Sequence, residues 1–202
     1  METAKQKSPK GKVGCSKKVF KRGRSLIGPS PSFSFGPKAS TIHEVAPRNY
    51  LHDPYDQKLK WHCPPENVLV IKKDDSSTNK SFKTLVSWLV LQKSLKVFVE
   101  EKVICLSAIC NDIDFANVLP QIKSDYNTKD IDLVICIGGD GTLLYAVSLF
   151  QKSMPPLIAF HSGSLGFLTA HRFESYQETI TKALNGDAVL MLRSRLRCSV
   201  ER

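Results

Sequence analysis

The feature that most constrains the fold is an apolar run, Ile131–Ile137, that ends abruptly in the Gly-Gly-Asp-Gly-Thr segment Gly138–Thr142. Helical spacing of apolar residues resumes directly after it, which predicts a buried strand, a glycine turn and the start of a helix. Glycines let the backbone approach phosphate closely, and a helix N-terminus presents free N–H groups to an anion. The carboxylate of Asp140 is better suited to accepting a proton from a hydroxyl, or to holding a metal, than to binding phosphate.

The same turn has a purely structural interpretation, in which Asp140 caps the helix and Thr142 is an ordinary residue of its first turn. Three glycines around one aspartate exceed what a cap needs, so the residues favour a phosphate site. The motif is neither a Walker A loop, which needs Gly-Lys-Ser/Thr, nor a Gly-x-Gly-x-x-Gly dinucleotide fingerprint. The sequence therefore predicts a phosphotransferase site of another kind.

The positive charge of the chain is concentrated at its start. Of a net charge of +10, the first 40 residues hold +9, whereas residues 41–202 are nearly neutral. The basicity thus describes a tail and gives no reason to expect that the folded part binds nucleic acid. The apolar content of 42% suits a globular core. No apolar run approaches the ~20 residues that a membrane span needs.

Residues 1–65 hold eight of the eleven prolines and show no apolar periodicity, which predicts a disordered basic Pro/Ser-rich tail before a domain at 66–202. Within the tail, Arg22 and Arg24 precede Ser25, a pattern typical of a site for a basophilic kinase. A solvated basic tail without that role, or a transit peptide, is the alternative. No apolar signal-peptide region follows Met1, so we expect a cytoplasmic protein, with a mitochondrial one less favoured.

The six cysteines form no Cys-x-x-Cys pair, and no Cys/His spacing typical of a metal site occurs. A reducing compartment favours free thiols over disulfides. We therefore expect neither a structural metal nor disulfides, and Cys136 inside the apolar strand is expected to be a small core residue.

Apolar segments alternate between strand and helix spacing from Val68 onward. The predicted strands are Val68–Ile71, Val97–Val99, Ile131–Ile137 and Leu157–Phe160, with a strand-like run at Ala188–Val200. The predicted helices are Phe82–Leu91, Ile113–Ile122, Thr142–Phe150 and Phe173–Leu184. This order predicts an α/β fold, an open, mainly parallel sheet with helices on both faces. Because ligands collect at the carboxyl ends of parallel strands, we expect Gly138–Thr142 and His161–Leu168 to share one cleft.

A second glycine turn follows the strand at Leu157–Phe160. Gly163 and Gly166 bracket it, and Phe167 offers an apolar surface beside it. An aromatic ring next to such a turn can pack on an adenine, but it can equally fill the core of the domain. His161 at the strand end is better explained as a structural hydrogen-bonding residue than as a catalyst.

Together, Gly138–Thr142 and the Gly-Ser-Leu-Gly-Phe-Leu-Thr segment Gly163–Thr169 resemble the NAD kinase family, over most of residues 66–197. In the tail, the segments 24–26 and 35–39 are similar to the animal cytosolic form. The first motif is shared with diacylglycerol and sphingosine kinases, and the Leu-Gly-Phe-Leu segment separates NAD kinases from them. The resemblance implies the N-terminal domain of the NAD kinase/diacylglycerol kinase-like fold.

NAD kinases transfer the γ-phosphate of ATP to the 2′-hydroxyl of the adenosine ribose of NAD, which gives NADP. The resemblance therefore implies NAD and ATP as substrates, Mg²⁺ with the ATP, and a homo-oligomer with no nucleic-acid or membrane partner. Asp140 would be the general base, and no residue is assigned as a metal ligand. Contacts to nucleotide or phosphate would come from Gly138, Gly139, Asp140, Gly141, Thr142, Tyr145, Gly163, Leu165, Gly166 and Phe167.

The family continues into a second, mostly β domain that supplies an Asn-Glu pair and a Gly-Ser-Thr-Ala-Tyr-like segment, and neither occurs in this sequence. We therefore expect the N-terminal portion of an NAD kinase, catalytically incomplete and either a fragment or a shortened product. Two alternatives stay open. One is a non-catalytic product that binds nucleotide or docks on complete NAD kinase, and the other is the catalytic half of a lipid kinase.

Overall fold

The computed structural model describes residues 34–43, 57–161, 163, 166–193 and 195. Their strands are β1 (Ser34–Phe35), β2 (Ala39–His43), β3 (Gln57–Trp61), β4 (Asn67–Lys72), β5 (Lys96–Val99), β6 (Ile122–Lys123), β7 (Leu133–Ile137), β8 (Leu157–His161), β9 (His171–Arg172) and β10 (Val189–Leu190). Their α-helices are α1 (Asn79–Leu91), α2 (Glu101–Ile104), α3 (Ser107–Cys110), α4 (Asp140–Ser148) and α5 (Tyr176–Leu184). Single 3-10 turns lie at Ser76–Thr78, Leu119–Gln121 and Phe173–Ser175.

A six-stranded parallel sheet, in the order β6-β5-β4-β7-β8-β9, forms the centre of the domain. Alternate residues of β4 face opposite sides of this sheet, as the pleat of a strand requires. Val68 and Val70 belong to a core cluster with α1 and α5, whereas Leu69 and Ile71 belong to a second cluster with α4. The predicted α/β fold, with an open, mainly parallel sheet and helices on both faces, is confirmed.

Helix α1 covers one face of the sheet because its apolar residues recur at helical spacing. Phe82, Leu85, Val86 and Leu89 are each at most 1% exposed. The strands predicted at the centre of the sheet and the helices predicted at α1, α4 and α5 are confirmed, with ends shifted by a few residues. Among the described residues, no helix is both long and apolar enough to cross a bilayer.

The predicted helix over Ile113–Ile122 is wrong. This segment forms turns, the 3-10 turn at Leu119–Gln121 and the start of β6. Pro120 lies in the first turn of that 3-10 segment and has no N–H to continue a hydrogen-bonded helix. Phe115 and Val118 are buried all the same. Their helix-like spacing therefore reflects the packing of successive turns on the core.

A four-stranded antiparallel sheet, in the order β1-β2-β3-β10, lies beside the parallel one. The predicted disordered tail over 1–65 is therefore wrong for residues 34–43 and 57–61. These strands pair with one another, and β3 also pairs with β10, which lies far along the chain. Of the predicted strand-like run at 188–200, the described residues are extended only at Val189–Leu190. The boundary at 65/66 stays a prediction, and Ser25 lies outside the described residues.

A buried carboxylate and an indole attach the antiparallel sheet to the rest of the domain. Asp132 is 0% exposed, and its Oδ2 accepts hydrogen bonds from the N–H groups of Glu66–Asn67 at 2.8 and 3.0 Å. The same oxygen lies 3.0 Å from Nζ of Lys38, in the turn before β2. Trp61 on β3 donates from Nε1 to the carbonyl of Ala183 on α5 at 2.7 Å.

The cysteines differ from one another in state. Cys63 is disulfide-bonded, so the expectation of no disulfides is wrong for this residue. Among the other described cysteines, Cys105, Cys110 and Cys136 have free thiols. Burial raises the pKa of Cys136 to about 12, which keeps its thiol neutral inside the core as expected. Spacing along the sequence does not report which cysteines a fold brings together.

Replacement of the buried carboxylate tests how the two sheets are joined. We expect Asp132→Asn to lower the free energy of unfolding by about 3 kcal/mol, because it removes the partner of Lys38 and sets an amide against backbone donors. Denaturant titration measures the change. The control is Asp130→Asn, an exposed aspartate two residues away, which should unfold like the unsubstituted chain. Equal stability of the two variants would contradict this account of the junction.

Candidate functional site

The glycine turn Gly138–Gly139 leads from the carboxyl end of β7 into α4. Gly138 has φ of +156°, and a Cβ built on it would lie within 3.0 Å of Thr142 Oγ1. The N-cap position of α4 is Gly139, which has no side chain to cap the helix. Asp140 is the first residue of the helix and therefore is not its cap. The structural interpretation of the turn is therefore wrong on this point.

The carboxylate of Asp140 joins the two glycine turns that the sequence singles out. Its Oδ2 accepts a hydrogen bond from the N–H of Phe167 at 2.8 Å. Its Oδ1 accepts from the N–H groups of Leu168 at 2.9 Å and Thr169 at 3.2 Å, and Thr169 Oγ1 lies at 3.4 Å. The two loops that the sequence predicts to share one cleft are thus in contact, and the side chain of Asp140 joins them.

These hydrogen bonds set the charge of Asp140. The N–H of Leu168 lowers the pKa of Asp140 most, partial desolvation opposes it, and the N–H groups of Phe167 and Thr169 lower it further. The carboxylate is therefore ionised at neutral pH. The loop contact is present above the ordinary pKa of aspartate and is lost only as the pH falls through the lowered value. Among the described residues, only the N–H of Phe167 donates to Oδ2, so this oxygen keeps room for a further donor.

Glycines line the site for two different reasons. A Cβ on Gly166 would lie within 3.0 Å of both Asp140 Oδ1 and Thr169 Oγ1, so only glycine lets this loop close onto the carboxylate. At Gly139, Gly141 and Gly163, nothing lies within 4 Å of such a Cβ. The backbone there faces open space, which is the room that a ligand approaching the turn requires.

Phe167 stands beside the carboxylate and is 89% exposed. The alternative in which this ring fills the core is therefore wrong. Leu144 on the second turn of α4 is also exposed, which leaves apolar surface near the turn. Leu165, the remaining predicted contact in this loop, lies outside the described residues.

Tyr145 on α4 is held by a residue that sequence reasoning missed. Its hydroxyl donates a short hydrogen bond to Glu100, directly after β5. Lys102 lies 3.4 Å from the same carboxylate and 4.8 Å from the centre of the Tyr145 ring. The bond to Glu100, followed by burial, raises the pKa of Tyr145. Only its position in the sequence could have indicated Glu100, since it directly follows the predicted strand Val97–Val99 at the same edge of the sheet.

His161 at the end of β8 holds the start of the second loop. Its Nδ1 lies 2.9 Å from the carbonyl oxygen of Gly163, so this nitrogen carries the proton and donates. Its Nε2 is buried and has no hydrogen-bond partner. His161 and Asp140 thus fix the two ends of one loop, which agrees with a structural role for the histidine.

Among the described residues, no group of three or more His, Cys, Asp or Glu side chains is arranged to hold a metal ion.

The chain belongs to the NAD kinase family, since the family model described as ATP-NAD kinase N-terminal domain matches residues 68–188. It is 37% identical over 151 residues to the probable chloroplastic NAD kinase 2 of Oryza sativa subsp. japonica, which covers 72% of this chain and 15% of that protein. It is 32% identical over 152 residues to the NAD(+) kinase of Saccharomyces cerevisiae. That match covers 68% of this chain and 28% of the yeast protein. The mitochondrial NADH kinase of Schizosaccharomyces pombe is 31% identical over 147 residues. That match covers 72% of this chain and 37% of the other protein.

Among solved structures, the chain is similar to the crystal structure of yeast NADH kinase complexed with NADH. The TM-score is 0.58 and the identity 26%, over 68% of this chain and 41% of that one. The chain therefore spans less than half the length of each of these proteins. The relatives include proteins named as chloroplastic and as mitochondrial.

A pair of glycines in one loop tests how the loop closes on the carboxylate. We expect Gly166→Ala to push the loop off Asp140 and to lower the melting temperature, because the new methyl group overlaps two oxygens. Gly163→Ala is the matched control, since its methyl group would meet nothing within 4 Å. Thermal unfolding followed by circular dichroism compares them. Equal melting temperatures for the two variants would contradict the proposed closure.

Proposed function

We propose that this chain carries the phosphate-transfer half of an NAD kinase, which moves the γ-phosphate of ATP to the 2′-hydroxyl of the adenosine ribose of NAD and so forms NADP. The observation that carries the proposal is Asp140, an ionised carboxylate that stands between two glycine turns where α4 begins. Membership of the NAD kinase family supports it. The names of the relatives as NAD and NADH kinases point to the same substrates.

In this proposal the phosphate groups of ATP lie over the glycine turn. The open backbone at Gly139 and Gly141 admits them, and the first N–H groups of α4 face them without a side-chain cap in the way. Magnesium arrives bound to ATP and neutralises part of the phosphate charge. The chain itself supplies position and hydrogen-bond donors.

Asp140 orients the attacking hydroxyl. The free acceptor position on its Oδ2 receives the 2′-hydroxyl of the ribose, while the loop amides keep the carboxylate from rotating. A lowered pKa makes Asp140 a weak base, and efficiency in proton removal follows basicity. In a loose phosphoryl-transfer transition state the nucleophile keeps its proton until late, so aiming the hydroxyl matters more than early deprotonation.

The exposed aromatic surface completes the proposed site. Phe167 offers an uncovered ring face for an adenine, next to the carboxylate that aims the ribose. Tyr145, fixed by Glu100, lies about one turn further along α4, and we assign it a contact with the dinucleotide. Contacts of Leu165, a homo-oligomeric state, cytoplasmic location and phosphorylation of Ser25 stay predictions from the sequence.

The test is NADP formation from NAD and MgATP by the purified chain. Any turnover by the unsubstituted chain should fall by about 10²- to 10⁴-fold in Asp140→Asn, because the hydroxyl is no longer aimed by a carboxylate. Asp130→Asn serves as the matched control, since that residue is exposed and lies on the far side of β7 in sequence. Circular dichroism checks that all three proteins are folded.

Parallel arms separate the competing functions. Diacylglycerol and sphingosine replace NAD in a second assay, and phosphorylation of either lipid without NADP formation would contradict the proposal in favour of a lipid kinase. Calorimetric titration with ATP and NAD forms the third arm. Binding of both without turnover would identify a non-catalytic nucleotide-binding product, and turnover retained in Asp140→Asn would remove that residue from the mechanism.

A further inference from the structure

A lysine pair at the end of β4 lies against the glycine turn. The N–H of Lys73, the first residue after β4, donates to the carbonyl of Ile137 at 2.8 Å, and Ile137 is the residue just before the turn. A Cβ built on Gly138 would lie 3.0 Å from the Cβ of Lys73. The side chain of Lys73 therefore starts at the very edge of the turn, on a backbone fixed by a strand-to-strand hydrogen bond.

The neighbouring lysine holds this position rigidly. Lys72 is only 4% exposed, and its ammonium group donates to the carbonyl oxygens of Lys73 at 2.8 Å and Asp75 at 3.2 Å. It also lies 3.5 Å from Oγ1 of Thr78, which itself donates to the carbonyls of Lys73 and Asp75 at 3.1 and 2.8 Å. One buried cation thus ties the segment 73–78 into a single shape, with Lys73 at its start.

The glycine turn needs a cation from elsewhere in the fold. The segment Gly138–Thr142 contains no Lys or Arg, in contrast to a Walker A loop, whose own lysine reaches the phosphates. The partial charge of a helix N-terminus alone matches only a fraction of the charge on a triphosphate. Since the carboxyl ends of β4 and β7 are adjacent in the sheet, the residue after β4 is well placed to supply that cation.

Lys73 is free enough to change partner. Its side chain is 55% exposed, and its ammonium lies 3.1 Å from Oδ2 of Asp75, whose side chain is 37% exposed. Exposed ion pairs of this kind are weak and are screened by salt. A phosphate oxygen offers a stronger, charge-assisted hydrogen bond, and the flexible four-carbon stem of lysine lets the ammonium swing toward it.

We propose that Lys73 binds the triphosphate of the nucleotide seated at Gly138–Thr142, and that Lys72 is the positioning residue that holds its backbone. This inference rests on the proposed function, because it assigns a further binding residue to the same site. Asp75 holds the Lys73 ammonium until nucleotide arrives. The recognised chemistry is the added negative charge of the β- and γ-phosphates.

A phosphate series tests this assignment on the full 202-residue chain. Calorimetric titration gives the affinities for ATP, ADP and AMP in the unsubstituted chain and in Lys73→Met, with Lys73→Gln alongside in case the first variant folds poorly. We expect ATP to bind about tenfold more weakly in both variants, with AMP nearly unchanged, because only the outer phosphates lose a partner. Lys73→Arg should recover part of the affinity for ATP.

Lys96→Met is the matched control. Lys96 is 59% exposed and pairs with Glu66 at 3.4 Å, but it lies at the amino end of β5, at the opposite edge of the sheet. We expect this variant to keep the full preference for ATP over AMP, so that loss of an exposed lysine charge alone is excluded as the cause.

Three results would overturn the assignment. An unchanged ratio of ATP to AMP affinity in Lys73→Met would remove Lys73 from the phosphate site while leaving the proposed function intact. If Lys73→Met bound NAD more weakly and ATP as well as the unsubstituted chain does, Lys73 would lie at the dinucleotide instead. Absence of nucleotide binding by the unsubstituted chain would overturn the proposed function and this inference together.

Discussion

The hydrogen bonds from three successive backbone N–H groups to the carboxylate of Asp140 are the interaction on which the site depends. They connect the turn after β7 to the loop after β8, so two segments that are separate in the chain act as one surface. A charged acceptor makes these bonds stronger than bonds between neutral groups. The same bonds lower the pKa of Asp140 and keep its carboxylate ionised, so the contact between the two loops also sets the charge of the site.

The rest of the architecture serves to bring these groups to one edge. Parallel strands place the ends of β4, β7 and β8 side by side, and helices pack on both faces of the sheet. Gly166 permits close approach of loop and carboxylate, whereas Gly141 leaves room for a ligand. The buried ammonium of Lys72 shapes the third loop at this edge. Polar side chains thus fix these loops, and of Asp140 and Lys72 only Lys72 is buried.

Much of this fold could be predicted from the sequence because the signals are local. The apolar run before Gly138 and the helical spacing after it identify β7, the turn and α4 without any knowledge of partners. The bonds of Asp140 to the second loop, and of Tyr145 to Glu100, could not be predicted, because they join residues that only the tertiary fold brings together. The strands at 34–43 and 57–61 were missed because they lie in a basic Pro/Ser-rich segment without apolar periodicity, and the pairing of β3 with β10 joins residues far apart in the chain.

The measurement that tests the central claim most directly is amide hydrogen exchange at Phe167–Thr169, compared between the unsubstituted chain and Asp140→Asn. We expect slow exchange of the Phe167, Leu168 and Thr169 amides in the unsubstituted chain and faster exchange of at least one of them in the variant, because the single oxygen of an asparagine amide cannot accept from all three donors. Exchange in α1 should be unchanged and reports intact folding. Equal protection of the loop in both proteins would contradict the claim that Asp140 holds the site together.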